Sequence, residues 1–159
     1  LCKTFTVEEH GKEIRSVNGL KVIPDYSFSD CPGIDVLIIP GGAGTKQLLN
    51  NESVLNWIIQ RSELSEITFS VCSGSRLLGK AGLLDNREYI THHEVIEDMA
   101  SIAPTAKVSK NKRFVDNGKI LTSAGISAGI DLSLYIVGKI FGKPVMEKTG
   151  KYMEYGEWQ

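Results

Sequence analysis

The sequence predicts an α/β domain built on a mostly parallel sheet. Three observations carry that expectation. Asp35-Val36-Leu37-Ile38-Ile39 is a continuous apolar run, which suits a parallel strand covered on both faces. A second β-rich run, Ile67-Thr68-Phe69-Ser70-Val71, ends on Cys72 and passes through small residues into the helical pattern Arg76-Leu77-Leu78-Gly79-Lys80-Ala81. Along the chain, strand-like and helix-like segments alternate through short glycine-containing turns, as in α/β folds. Sites in such sheets gather beyond the carboxyl ends of the strands. Three such ends carry chemistry here: Pro40-Gly41-Gly42, Cys72-Ser73-Gly74 and Thr91-His92-His93.

In order, residues 2–7 read as a strand and 8–12 as a turn. Residues 14–17 and 20–23 flank Asn18-Gly19, a strong short-range hairpin signal. Residues 24–32 read as a polar loop, with Cys31 in extended chain before Pro32. Gly41, Gly42 and Gly44 permit unusual backbone angles before a helix that starts near Thr45. Residues 53–62 read as a helix capped by Ser53, with Val54, Trp57, Ile58 and Arg61 at helical spacing and Trp57 directed to the core. The helix after Cys72 ends near Gly82, and Asp85-Asn86 makes a turn. Residues 89–93 form a short strand, 94–102 a helix stopped by Pro104, and 106–109 another short strand. Residues 113–115 and 119–123 flank the hairpin turn Asp116-Asn117-Gly118. A long helix over 126–141 is apolar almost all round and therefore deeply packed. Gly142 and Pro144 end it, and residues 145–159 hold one more short helix.

Composition narrows the function. The 159 residues suit one domain with a sizeable core. A net charge of −1 offers no basic footprint for nucleic acid. No apolar run approaches the ~20 residues of a membrane span, and no secretory signal is visible. Cys2, Cys31 and Cys72 are odd in number and widely spaced, which fits neither a disulfide framework nor a zinc pattern. A reducing cytoplasm is the expected compartment. There are no internal repeats or low-complexity tracts.

Cys72 stands out because it occupies a strand-to-helix corner. Ser70 and Gly74 are small enough for a tight turn, as in nucleophile elbows. A thiol at a helix start also meets unpaired N–H groups and the positive end of the helix dipole. Taken alone, a free cysteine is more often a buried small hydrophobe, so the assignment depends on the rest of a site. Gly41 and Gly42 are either plain turn residues or a turn whose outward N–H groups meet an oxyanion. Gly41-Gly42-Ala43-Gly44-Thr45-Lys46 lacks the spacing of a phosphate loop, and no dinucleotide fingerprint follows. On a strand, His92 and His93 point to opposite faces, so one of them at most faces the site. Asp131 reads as a helix-start carboxylate. No metal-ligand spacing appears, and no cofactor is expected.

Four stretches together resemble the DJ-1/PfpI superfamily: residues 35–42; Ser70-Val71-Cys72-Ser73-Gly74; Ala81-Gly82-Leu83-Leu84 with Thr91-His92; and 113–118 continuing through Ala124-Gly125-Ile126-Ser127-Ala128-Gly129-Ile130-Asp131. Met153-Glu154-Tyr155 adds to the likeness. The last long stretch resembles the subgroup of isonitrile hydratases and regulator sensor domains. The resemblance implies a flavodoxin-like three-layer sandwich, related to class I glutamine amidotransferases, and usually a homodimer. It implies Cys72 as nucleophile, an oxyanion hole from the N–H groups of Gly42 and Ser73 beside Gly41, and His92 as a site histidine. It also implies a carboxyl group beside the sulfur, on a first strand–helix unit that no residue here supplies. A single domain over 1–159 lacking about 30–45 upstream residues, one βα unit, is therefore expected. Ser73 stands where the hydratases resemble one another in having Thr, His93 where they have Trp, and Ser75-Arg76 where small apolar residues are usual.

The expected function is a cysteine-dependent hydrolase or hydratase, isonitrile hydratase-like or amidase-like, acting on a small carbon–nitrogen substrate. Two alternatives stand beside it. One is the ligand-sensing domain of a transcription regulator. The other is a redox or carbonyl-stress protein with an oxidisable Cys72.

Overall fold

The computed structural model describes residues 2–156. Four two-residue strands open the chain: β1 (Val7–Glu8), β2 (Ile14–Arg15), β3 (Lys21–Val22) and β4 (Tyr26–Ser27). The centre is a four-stranded sheet of β5 (Val36–Ile39), β6 (Ile67–Ser70), β9 (Phe114–Asn117) and β10 (Ile120–Ser123), in the order β5-β6-β10-β9. Neighbours run parallel except β9, which returns antiparallel on β10 through Gly118 at φ 86°. The short strands β7 (Glu88–Tyr89) and β8 (Lys107–Val108) pair parallel beside it. The helices are α1 (Glu52–Leu64), α2 (Ser75–Lys80), α3 (Ile96–Ile102), α4 (Ala128–Phe141) and α5 (Lys143–Tyr152).

Alternation along the strands splits the core in two. Leu37, Ile39 and Ile120 face a cluster built from Val54 and Ile58 of α1, Leu77 and Leu78 of α2 and Met99 of α3. Ile67, Phe69 and Leu121 point the other way, onto Leu132 and Ile136 of α4. Helices thus cover both faces, which gives three layers. β6 is buried throughout because it is central and sandwiched, and Cys72 lies just beyond its carboxyl end.

Several elements differ from their sequence reading. The strand expected over 2–7 shrinks to β1, and the expected loop over 24–32 contains β4. The two pair because Asp25 accepts from both the N–H (2.7 Å) and the hydroxyl of Thr6. The Asn18-Gly19 hairpin is present, with Ile14 opposite Val22. The turn after β5 is a 3-10 helix over Ala43–Asn50 rather than an α-helix from Thr45. Asn51, not Ser53, caps α1: its Oδ1 accepts from the Val54 N–H at 3.2 Å while its amide donates to Glu9 at 2.9 Å. That second bond joins residues far apart in sequence and selects the earlier cap.

Trp57 is only partly buried, stacked on Phe28 with ring centroids 4.3 Å apart. The strand expected to reach His93 stops at Tyr89. The long helix starts at Ala128 and is buried on one side only, since Tyr135, Ile140 and Phe141 are 36%, 40% and 43% exposed. α5 packs against it at Gly138, where an added Cβ would lie 3.0 Å from the Met146 sulfur. The outer end of the expected 145–159 tail, residues 157–159, lies outside the described residues, as does Leu1.

Leu121 is fully buried between Phe69 and α4. Leu121→Ala is expected to cost about 2–5 kcal/mol, the usual range for a cavity left by a buried leucine. Urea denaturation measures it, and a loss below about 1 kcal/mol would contradict the packing described.

Candidate active site

Cys72 adopts φ 55°, a left-handed conformation that non-glycine residues rarely take. A turn so sharp between β6 and the 3-10 helix Cys72–Gly74 lifts the side chain above the end of the sheet. Such strain persists only where the surroundings over-determine it, and here they do. The Cys72 carbonyl accepts from the Thr91 hydroxyl at 3.0 Å, and the Thr91 oxygen in turn accepts from the Ser75 hydroxyl. Ser75 and Thr91 are themselves bonded at 2.7 Å and fully buried or nearly so. The Gly74 N–H donates to the Val71 carbonyl at 2.9 Å. Cys72 is partly exposed, Cys2 exposed and Cys31 buried. Burial pushes the Cys31 thiol up, against the opposing pull of Arg61.

The turn after β5 lies directly on this elbow. A Cβ on Gly41 would come within 2.8 Å of the Val71 carbonyl oxygen and 2.9 Å of Cys72 Cβ. A Cβ on Gly74 would collide with the Ile39 carbonyl oxygen and lie 2.9 Å from that of Pro40. Both glycines are therefore required by close backbone approach. Gly42 has φ 116° and ψ 169°, a region that is essentially glycine-only. Its N–H donates to the Ser73 hydroxyl at 2.8 Å, and its carbonyl accepts from the Thr45 N–H at 3.2 Å and the Thr45 hydroxyl at 2.9 Å. Gly41, Gly42, Ser73 and Cys72 thus lie together, but the Gly42 N–H, expected to face an oxyanion, is bonded to the Ser73 hydroxyl instead.

His92 and His93 do not sit on opposite faces of a strand. The strand has ended, and His92 instead caps a 3-10 turn over His93–Val95. The two rings lie 4.3 Å apart on the same side. His92 is the partly buried one, its side chain 22% exposed against 80% for His93. Its Nδ1 lies 3.4 Å from the Glu94 N–H, from which it accepts, and 3.8 Å from the Glu94 carboxylate. The ring packs directly on Gly125, where an added Cβ would strike it. Among the described residues no hydrogen bond reaches the Cys72 sulfur. An open cavity of ≈ 400 Å³ lies along His92, Thr91, Gly125 and Ser127. A second, of ≈ 510 Å³, lies away from the elbow between Glu9, Phe28 and Ser53, and Cys72 lines neither of the two.

Asp131 is structural: it pairs with Arg113 and accepts from the Tyr155 hydroxyl at 3.0 Å, fastening the tail to the start of α4. Sequence reading missed Thr45, Thr91 and Asp98 as parts of the site's frame. It registered Arg76 only as an unusual residue. A lone charge beside the apolar Leu77-Leu78 pair, four positions after Cys72, was the available signal. Among the described residues no cluster of three His, Cys, Asp or Glu residues is placed to hold a metal ion. Nor, among the described residues, is any helix long and apolar enough to cross a membrane.

A strained cysteine on a strand-to-helix elbow, backed by a glycine turn at the next strand's end in a three-layer α/β sandwich, defines a flavodoxin-like elbow-cysteine protein. More narrowly, the chain belongs to the DJ-1/PfpI family, which residues 2–139 match. It is 33% identical over 145 residues to the isonitrile hydratase of Pseudomonas putida, covering 89% of this chain and 61% of that protein. It is 27% identical over 155 residues to the HTH-type transcriptional regulator GbdR of Pseudomonas aeruginosa, covering 98% of this chain and 42% of that one. A crystal structure of a ThiJ/PfpI family protein from Pseudomonas syringae superposes with a TM-score of 0.88 at 28% identity, over 99% of this chain and 64% of the other. The chain therefore spans less than two thirds of the length of each of these relatives.

Gly74→Ala is expected to lower stability by about 1–3 kcal/mol or more, because the new methyl meets two backbone carbonyls that cannot move aside as a side chain can. Thermal melting of the variant measures this. An unchanged melting temperature would contradict the close approach of elbow and turn.

Proposed function

We propose that the protein is a cysteine-dependent hydrolase or hydratase acting on a small carbon–nitrogen substrate, with Cys72 as nucleophile. The observation that carries this reading is the left-handed Cys72 at the carboxyl end of β6. A structural thiol has no need of a strained corner, whereas a nucleophile there is presented above the sheet. The thiolate, or water activated by it, attacks an electrophilic carbon. Charge that develops on the substrate is met by the Ser73 N–H, and by the Gly42 N–H once substrate takes the place of the Ser73 oxygen that it now binds. Gly41 belongs to this arrangement as the residue that lets the turn close on the elbow. His92, with one nitrogen held by Glu94, is the candidate acid–base group within the chain. No metal or cofactor is invoked. Similarity to an isonitrile hydratase supports the hydratase form of this reading, and an amidase belongs to the same chemistry.

The same reading extends to the rest of the protein. The outer edge of β5 has no partner strand among the described residues, and Ile38 is 49% exposed on the face that α4 covers elsewhere. A preceding strand and helix would pair that edge, cover Ile38 and bring an Asp or Glu to the sulfur. A carboxyl so close to a thiolate is held protonated by like-charge repulsion and can return a proton. Assembly as a homodimer is part of the proposal, and the exposed Ile14, Val17, Leu20 and Ile23 along the β2–β3 hairpin support it. A second reading, a ligand-sensing domain, is favoured by the alignment of the regulator GbdR along 98% of this chain.

Cys72→Ala in the full-length gene product is expected to abolish turnover across a panel of isonitriles and small amides while the far-UV circular dichroism stays unchanged. Undiminished turnover would overturn nucleophilic catalysis. In limiting alkylation followed by peptide mapping, Cys72 is expected to label ahead of Cys2, with Cys31 last. Cys2 labelling first would count against an activated elbow thiol.

A further inference from the structure

Arg76 is among the most deeply buried charges in the protein, 6% exposed, on α2 one turn beyond Cys72. Its Nε donates to Asp98 of α3 at 3.0 Å, and a second guanidinium nitrogen, Nη2, donates to the same carboxylate oxygen. The remaining arm, Nη1, donates to the hydroxyl of Thr45 at 3.2 Å. Thr45 is 5% exposed and sits in the 3-10 turn that follows Gly42. Lys46 also reaches Asp98, at 3.5 Å, and the Arg76 hydrogen bond holds the Asp98 carboxyl below its ordinary value.

Stability alone does not call for this arrangement. Burying a guanidinium costs several kcal/mol of lost hydration, and an apolar residue of similar volume is often at least as stable in such a place. The direction of the bonds offers another reason. A hydroxyl has one proton and two acceptor sites. Because the Thr45 oxygen accepts from Arg76, its own proton is committed to the Gly42 carbonyl, 2.9 Å away. Gly42 lacks a side chain and occupies a glycine-only conformation, so nothing within the residue itself sets its angles. Its peptides are held from outside, on the carbonyl side by Thr45 at 2.9 Å and by the longer 3.2 Å bond from the Ser73 hydroxyl, and on the N–H side by the Ser73 oxygen.

We propose that Arg76, anchored by Asp98 and acting through Thr45, is a positioning residue that fixes the Gly42 turn against the Cys72 elbow and so sets the oxyanion-binding geometry. This rests on the reading of Cys72 as a nucleophile. Arg76 does not touch the reacting atoms. It determines where the Gly42–Ser73 pair stands when charge develops.

Two reactions of Cys72 in the full-length gene product separate this from a merely structural role. With p-nitrophenyl acetate, the sulfur bonds to the carbonyl carbon, a tetrahedral oxyanion forms, and the C–O bond breaks to release p-nitrophenolate. With iodoacetamide, the sulfur displaces iodide and no oxyanion forms. Arg76→Met and Thr45→Val are each expected to slow ester acylation at least about tenfold, a fraction of what loss of a whole oxyanion donor costs. Each is expected to leave iodoacetamide alkylation within about twofold. The double variant should be no slower than the singles, because both cut one relay. Thr45→Ser, which keeps the hydroxyl, should acylate at the wild-type rate. Equal slowing of both reactions, or undiminished acylation in Thr45→Val, would overturn the proposal. If Arg76→Met does not fold, the contrast between Thr45→Val and Thr45→Ser decides alone. A wild-type Cys72 that the ester acylates no faster than a free thiol would instead overturn the nucleophile reading, and this proposal with it.

Discussion

Two backbones touch at the centre of this site. The elbow after β6 and the turn after β5 approach so closely that neither Gly41 nor Gly74 has room for a single added carbon. The contact is between main chains, so it is rigid in a way that side-chain packing is not. Its consequence is that parallel pairing of Ile39 with Ser70 continues past the strand ends and delivers the Cys72 corner and the Gly42 turn as one unit. The left-handed Cys72 is tolerable because everything around it is already committed.

The commitment is largely made by buried hydroxyls. Thr91, backed by Ser75, holds the Cys72 carbonyl, Thr122 accepts from the Ile90 N–H at 2.9 Å, and Thr45 and Ser73 hold Gly42. A buried polar group left unpaired costs about 1–3 kcal/mol, so a nearly complete network strongly favours one arrangement. The Ser70 hydroxyl, two residues before Cys72, is buried and finds no partner among the described residues. These hydroxyls replace apolar packing at the top of the sheet, while the apolar clusters below supply the stability.

The relatives separate framework from use. One similar protein is an isonitrile hydratase and another a transcriptional regulator, so proteins similar to this chain carry different roles. Around the elbow this chain carries the Ser73 hydroxyl on the Gly42 N–H, the paired rings of His92 and His93, and the buried Arg76. These positions bear on the substrate question because they shape the ground beside the thiol without altering the fold.

Much of the architecture was legible in sequence. Continuous apolar runs marked β5 and β6, Asp116-Asn117-Gly118 marked the β9–β10 hairpin, and the small residues around Cys72 marked the elbow, because these signals are local and steric. What failed depended on distant partners. Asn51 outcompeted Ser53 as the cap of α1 because Glu9 takes its amide. Residues 26–27 became a strand because Thr6 and Asp25 bind. The strand before His92 ended early, which put its ring beside that of His93 rather than opposite it. Cysteine at the elbow, glycine at the turns and the order of strands and helices were thus determined by the sequence itself, through backbone sterics and hydrophobic periodicity. Only the tertiary structure decided that the Gly42 N–H meets Ser73 and that Arg76 reaches Thr45. Those bonds join residues 31 apart in the chain, and no local pattern encodes which distant hydroxyl a folded sheet will bring within reach.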